Sequence, residues 1–410
     1  MTKVFIRPRP LATAEAGDAI VRFDWEHETS SLGVSHLSPQ RFLSFAGVLS
    51  PANDAAYAQA VRPLLSTVLA GRTACCFAYG HTNSGKTHTI FGYGREIGMY
   101  ERAIRELFDQ RDGADWMLQT RFYELYNGKV FDLLDNRRPG FVREDADGGI
   151  NVRSETTIGP QGEVRTQGLK TLYETSADAV VKIVRNAMCH RAEGTSELHH
   201  QSSRSHAVLE LEIVTREIAD ARTELEVAKS LVVPIGKARD DLYIAIQTKL
   251  YVRGDDGKYK PSGASIPRDD EEKLKGLEDQ LRAAEEAVET AARRVAEAEA
   301  DFRGGCLVLI DLAGAEYTGQ GLSRNPKEMK EAREINLSLL ALKECVRAQA
   351  LKDRIPYRNS KLTMLLKRHL EVSTADSTVM IATVSTSQKN LKKAHDTLKY
   401  AALVAEARSC

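Results

Sequence analysis

Between Leu274 and Phe302 the apolar positions recur in alternating steps of three and four: Leu274, Leu277, Leu281, Ala284, Val288, Ala291, Val295, Ala298 and Phe302. Glu, Arg and Ala fill the places between them, so the stretch predicts a long helix with one buried heptad seam. Val214, Ile218, Ala221, Leu225, Ala228, Val232 and Ile235 follow the same rule. That first seam falters at Arg239 and resumes at Leu242 and Ile246, and Pro234 predicts a kink or a break. Residues 253–267 are rich in Gly, Pro, Asp and Ser, which suits a turn. The expectation is an antiparallel, coiled-coil-like helical hairpin over 216–303, its second helix roughly 50 Å long at about 1.5 Å per residue. A solvated charged linker, or a strand over Leu242–Val252, is the alternative.

Outside that stretch the period changes. Val4-Phe5-Ile6 reads as a strand ended by Arg7-Pro8-Arg9-Pro10, and strand-like and helix-like segments alternate to about residue 215. Thr73–Tyr79 reads as a short buried strand, as does Cys306–Ile310, which follows Gly304-Gly305 and ends in Asp311. Another strand falls at Val379–Val384 within otherwise helical patterning. Alternation of this kind predicts an α/β fold with a central, mostly parallel sheet flanked by helices.

The loop after the first of these strands carries the chemistry. Gly80-His81-Thr82-Asn83-Ser84-Gly85-Lys86-Thr87 has the spacing of a phosphate-binding loop. Its glycines let backbone N–H groups turn inward as a nest for anionic oxygens. Lys86 is placed to reach the outer phosphates and the Thr87 hydroxyl to ligate Mg²⁺. A helix starting at the loop adds its N-terminal dipole.

Composition narrows the partners. The chain has 410 residues, 42% of them hydrophobic, and 57 basic residues balance 57 acidic ones. A net charge of zero points to no nucleic acid, and any electrostatic docking must come from a local patch. Six cysteines without C-x-x-C spacing fit a reduced compartment. The N-terminus lacks the apolar core of a signal peptide, and no stretch is long enough to span a membrane. A soluble cytosolic or nuclear protein is the expectation.

Two further segments say what the loop is for. Ser202-Ser203-Arg204-Ser205-His206 precedes an alternating strand, and Asp311-Leu312-Ala313-Gly314-Ala315-Glu316 follows a buried one. An acid at a strand's end can hold Mg²⁺ through water, and the glycine after it frees a backbone N–H to sense a terminal phosphate. The paired serines suit Mg²⁺ and the positioning of a water. Arg204 and Glu316, opposite in charge, could latch the two loops together. His199, His200, His190 and Cys189 invite a metal-site reading, but a polar loop near the nucleotide is the simpler account.

With these segments in view, the chain resembles the kinesin motor domain along nearly its whole length outside 216–303. The resemblance is carried by Ile6–Pro10, Ala78–Ile90, Tyr123–Leu134, Ser202–His206, Asp311–Glu316, Ile335–Leu339 and Pro356–Thr363, in family order. It implies a P-loop NTPase fold over 1–410, interrupted by the 216–303 hairpin, and a microtubule-based motor ATPase using ATP and Mg²⁺. The family's adenine contacts fall on Arg7, Pro10 and His88. Its phosphate and metal contacts fall on Gly85, Lys86, Thr87, Ser202, Ser203, Asp311 and Gly314, and its switch salt bridge on Arg204 and Glu316. Microtubule contact falls on a basic cluster that includes Lys343, Arg347, Arg358, Lys361, Lys367 and Arg368, as an acidic filament surface requires. The implied setting is the cytoplasm and its microtubule cytoskeleton, the spindle included.

The departures are specific. His81 replaces the family's usual glutamine and Asn83 a usual small residue; His199 stands for an asparagine, and Ala315 and Tyr317 for a serine and a basic residue. They leave the lysine, the Mg²⁺ ligands and the salt bridge in place, so ATP binding is expected with altered turnover. A nucleotide-gated microtubule-binding module with little turnover is the alternative. Leu339–Arg347 looks like the corresponding helix of microtubule-depolymerising kinesins, but the Lys-Val-Asp triplet those proteins carry is absent from residues 26–45. Only Met1 and Thr2 precede the first strand, and the chain stops at Cys410 after Thr397–Ala401, which matches the last motor helix. A truncated motor domain, or one that does not step in the usual way, is expected. The hairpin is read as a lever or partner-binding arm.

Overall fold

A computed structural model describes the chain apart from residues 1, 13–14, 29, 36–40, 43–44, 112–114, 145–147, 155–156, 159–163, 166–167, 194–201, 254–258, 303, 316–325, 368–376 and 407–410. Eleven strands among the described residues form the main sheet. They are β1 Lys3–Arg9, β2 Gly47–Val48, β3 Thr73–Tyr79, β4 Met117–Tyr126, β5 Lys129–Asp132, β6 Arg138–Glu144, β7 Ile150–Ser154, β8 Leu172–Glu174, β9 His206–Val214, β10 Cys306–Asp311 and β11 Thr378–Ser385. The order is β7-β6-β5-β4-β9-β10-β3-β11-β1-β2, with β8 on β4. From β10 to β2 the pairs are parallel, and β4, β9 and β10 pair antiparallel. The α/β expectation holds, with the parallel half carrying the phosphate loop.

The helices are α1 Asn53–Ala60, α2 Arg62–Leu69, α3 Lys86–Phe91, α4 Met99–Asp109, α5 Ala177–Glu193, α6 Arg216–Leu250, α7 Arg268–Asp301, α8 Pro326–Ala350, α9 Lys361–Leu365 and α10 Leu391–Glu406. The central strands β3, β10 and β11 are buried along nearly their whole length, which explains their continuous apolar runs. Register then fixes the site: Ala78 lies beside Asp311 on β10, and Asp311 beside Ala207 on β9, which faces Glu124 on β4.

Two compact units divide the chain, Met1–Arg153 with Gly168–Val214 and Arg303–Cys410, and Ser154–Gln167 with Thr215–Phe302. Within the second, α6 and α7 pack side by side. Between 271 and 300 every position that is partly or fully buried is one of the eight seam residues from Leu274 to Ala298. Three cross-helix ion pairs, Arg222–Glu299 at 2.7 Å, Arg294–Glu224 at 2.6 Å and Lys249–Asp270 at 3.0 Å, run in antiparallel register. Of the two outcomes expected at Pro234, the break does not occur, because α6 continues through it to Leu250. The seam residues on both sides of the proline pack on α7 and outweigh one missing backbone hydrogen bond. The strand alternative also fails, since Leu242–Leu250 is helix and Tyr251–Arg253 alone is strand.

Candidate functional site

The phosphate loop leaves β3 at Tyr79 and enters α3 at Lys86, and its backbone explains its sequence. Gly80 has φ +158°, and a Cβ there would stand 2.3 Å from the Thr383 carbonyl oxygen and 2.6 Å from Ser84 Oγ. Gly85 has φ +101°, a conformation that L side chains rarely adopt. Asn83 sits at φ +63°, in the left-handed region that asparagine tolerates best after glycine, which accounts for that departure. Ser84 Oγ lies 2.7 Å from Thr383 Oγ1 on β11 and pins the loop to the sheet. Thr82 faces the opposite segment: a Cβ on Gly314 would meet Thr82 Oγ1 at 2.3 Å, so only a glycine permits this approach.

Lys86 is buried and folds back to donate to the carbonyls of Gly80 and His81, at 3.0 Å each. The Thr87 hydroxyl donates to Asp311 Oδ2 at 2.7 Å. Asp311 is 1% exposed, and its Oδ1 is buried with no hydrogen-bond partner among the described residues. An orphaned acceptor beside a threonine hydroxyl, opposite a lysine-bearing anion nest, fits the hard oxygen set that Mg²⁺ takes beside phosphates.

Arg191, on the last turn of α5, donates to the same Asp311 Oδ2 at 2.9 Å and reaches Ser205 Oγ at 3.3 Å. Its side chain is 1% exposed, with Glu124 Oε1 3.6 Å away. In the sequence this residue is marked only as a cation at a helix C-terminus. Ser202, Ser203 and Arg204 form a 3-10 turn, and the Ser203 carbonyl accepts the Gly314 N–H at 2.7 Å. The two segments expected to sense a phosphate are thus bonded to each other through the donor assigned to sensing.

Arg204 Nη1 donates to Glu331 Oε2 on α8 at 2.8 Å. Glu316, the partner expected from sequence, lies outside the described residues, as do His199, His200, Tyr317 and Arg368. His206 makes the second link to α8. Its Nδ1 accepts from the Ala313 N–H at 3.0 Å, which assigns the proton to Nε2, 2.8 Å from Ser338 Oγ. Ser338 in turn donates to the Ile335 carbonyl. Burial, then the charges of Arg191 and Lys86, depress the His206 pKa to about 3, so this relay is neutral.

Two of the expected base contacts, Arg7 and His88, meet at α3. Arg7 is buried, donating from Nη1 to Thr89 Oγ1 at 2.6 Å and from Nη2 to the Pro51 carbonyl, and burial lowers its pKa to about 10. His88 Nε2 lies 2.8 Å from Glu96, and Pro10 is exposed at the end of β1. His190 reaches the Leu133 carbonyl at 3.4 Å, Cys189 is exposed, and among the described residues no metal-type cluster of His, Cys and acids occurs.

On α8 an exposed stripe recurs every three or four residues: Met329, Arg333, Leu337, Leu340, Glu344 and Arg347, continued by Leu351. Nearby, Arg358 pairs with Glu144 at 2.6 Å, Lys367 donates to the Gly148 carbonyl, Lys343 lies over the Tyr400 ring, and Lys361 is exposed.

The kinesin motor domain family matches residues 10–234 and 286–407 of this chain. The chain belongs to that family. The unmatched middle, 235–285, is narrower than the insertion expected from sequence. The kinesin-like protein KIF24 of Mus musculus is 26% identical over 98% of the chain, and kinesin-like protein 5 of Schizosaccharomyces pombe 29% over 84%. Kinesin-like protein KIN-13B of Arabidopsis thaliana is 28% identical over 97%. The chain spans 24%, 30% and 46% of these relatives' own lengths. A solved structure of a fast kinesin matches with a TM-score of 0.64 and 22% identity, covering 100% of this chain and 91% of that one. Kinesin motor domains bind nucleotide with Mg²⁺ and associate with microtubules, and no helix among the described residues is long and apolar enough to cross a membrane.

Proposed function

We propose that this kinesin motor domain hydrolyses ATP and converts the state of its phosphate loop into changes of microtubule affinity. The observation that carries the reading is the pair of ties from the phosphate-facing segments to one helix, Arg204–Glu331 and His206–Ser338, both 2.8 Å. That helix, α8, bears an exposed apolar stripe in which Arg333 and Arg347 outnumber Glu344, as contact with an acidic protein filament requires. Gly80–Thr87 hold the phosphates, Thr87, Ser203 and Asp311 hold the metal, and Ser202, Ser203 and Gly314 position the attacking water. Bound Mg²⁺ supplies charge neutralisation at the phosphoryl oxygens. Arg7, Pro10 and His88 receive the base. Arg204 closes the site through Glu316 when a terminal phosphate is present. Lys343, Arg347, Arg358, Lys361, Lys367 and Arg368 take the filament.

Phosphate release measured with and without microtubules tests the reading. A rate raised by microtubules is expected. An equal rate with intact binding would replace the motor by a nucleotide-gated module, and shortening of stabilised filaments would make it a depolymerase.

The α6–α7 unit holds none of the phosphate-loop residues. We infer a protein-binding role for it from the exposed Tyr243, Ile244, Tyr251 and Tyr259. Motility, localisation and partner binding unchanged on deletion of 219–301 would overturn that role.

A further inference from the structure

His81 lies inside the phosphate loop, and its setting assigns it work. It is 3% exposed there. Its Nδ1 lies 2.7 Å from the Thr82 carbonyl oxygen, which only accepts, so the neutral ring carries its proton there and Nε2 is a bare lone pair. Nε2 is buried and has no hydrogen-bond partner among the described residues. The charged groups that face the ring are cations: Lys86 at the start of α3, Lys393 on α10 and Arg9 on β1. A buried acceptor left without a donor is costly, and here it lies in a loop built for anions.

We propose that His81 is a proton-coupled contact of the phosphate loop: neutral while the loop is empty, it takes up one proton at Nε2 when a nucleotide's phosphates bind. The inference rests on the nucleotide-binding reading above. Burial first, and then the three cations, hold the empty-site pKa down at about 4. The negative charges of a di- or triphosphate offset those cations and favour the imidazolium. The proton comes from solvent, and no covalent bond changes. Since the bound state then has the higher pKa, nucleotide affinity rises as pH falls toward the bound-state value. Glutamine cannot do this, because its amide does not titrate.

Calorimetric titration of the intact chain with Mg-ADP, in two buffers of unlike ionisation enthalpy, counts the protons taken up. Between about pH 8 and pH 6 the wild-type chain should take up protons in excess of the His81→Gln variant. Its affinity should gain at least about threefold over the variant's across that range. Equal uptake in the two chains would overturn the proposal while leaving nucleotide binding standing. Binding of ADP by neither would overturn both. Nitrogen NMR of the wild-type ring needs no variant: the Nε2 resonance should move from that of a bare lone pair to that of an imidazolium on adding ADP at about pH 6.5, and an unmoved resonance would refute the assignment.

Discussion

Arg204 Nη1 meets Glu331 Oε2 at 2.8 Å, while the other oxygen of Glu331 accepts the Tyr126 hydroxyl at 2.5 Å. One carboxylate, 4% exposed, therefore ties the serine-rich turn and the end of β4 to α8. Glu331→Ala removes both bonds at once. The Arg204 side chain is 22% exposed, so the loss is tempered by solvent, and about 2 kcal/mol of stability should go. Urea unfolding measures that cost. Hydrogen exchange should meanwhile quicken along α8 and at Tyr126 before it quickens in β3.

Asp311 serves two donors through one oxygen. They are Thr87 and Arg191, and the other oxygen has no hydrogen-bond partner among the described residues. Asp311→Asn keeps the volume but weakens the site for a cation, so Mg²⁺-dependent ADP affinity should fall 10- to 100-fold, roughly what loss of a supporting metal contact costs. Affinity in EDTA should change far less. A fluorescent ADP analogue titrated with and without Mg²⁺ gives both numbers, and equal losses in the two conditions would remove Asp311 from the metal's surroundings.

Much of this was legible in the sequence, and the rest was not for physical reasons. The phosphate loop, the Asp311 strand end and the α7 seam are local patterns, written by turn geometry and by a period of three and four. Arg191 and Glu331 are ordinary helix charges until β4, β9 and β10 align, because pairing over 120 and 127 residues leaves no mark on spacing. At Pro234 the expected break fails for the opposite reason: packing along the helix overrides a local rule.

Gly314 tests how closely the two loops must approach. An alanine Cβ would lie 2.3 Å from Thr82 Oγ1 and 2.9 Å from the Thr82 amide nitrogen, so the clash involves backbone as well as side chain. Gly314→Ala should lower turnover at least about tenfold, the size expected when a reacting geometry shifts by about 1 Å. Adding Thr82→Ala should restore only part of it, since the backbone contact remains. Full restoration in steady-state assays would mean that the hydroxyl alone sets the approach.

The seam of the second unit is open to one small change. Ala291 is 3% exposed against α6, and Ala291→Asp places a carboxylate there without a partner. The helical signal of α6 and α7 should melt at lower temperature, with early proteolytic cuts between 216 and 302. ADP affinity, proposed above to be set by Gly80–Thr87, should stay within about twofold, because sites without shared partners add independently. Paired circular-dichroism melts and ADP titrations check both halves of the expectation.

The last prediction concerns pH. His206 is buried, and its pKa of about 3 lies well below the unfolded value of about 6.5. Between those values the unfolded chain binds a proton that the folded chain does not, so stability must fall as pH is lowered through that window. At about pH 5 the folded ring is still neutral, and this one group should cost about 2 kcal/mol relative to pH 7. The size depends on the unfolded pKa alone at that pH. His206→Gln removes the titration and should flatten that part of the profile, at the expense of the Ala313–His206–Ser338 relay. Urea unfolding of both chains at pH 7 and pH 5 decides it: a variant that loses as much stability as the wild type would show that the acid loss lies in other groups.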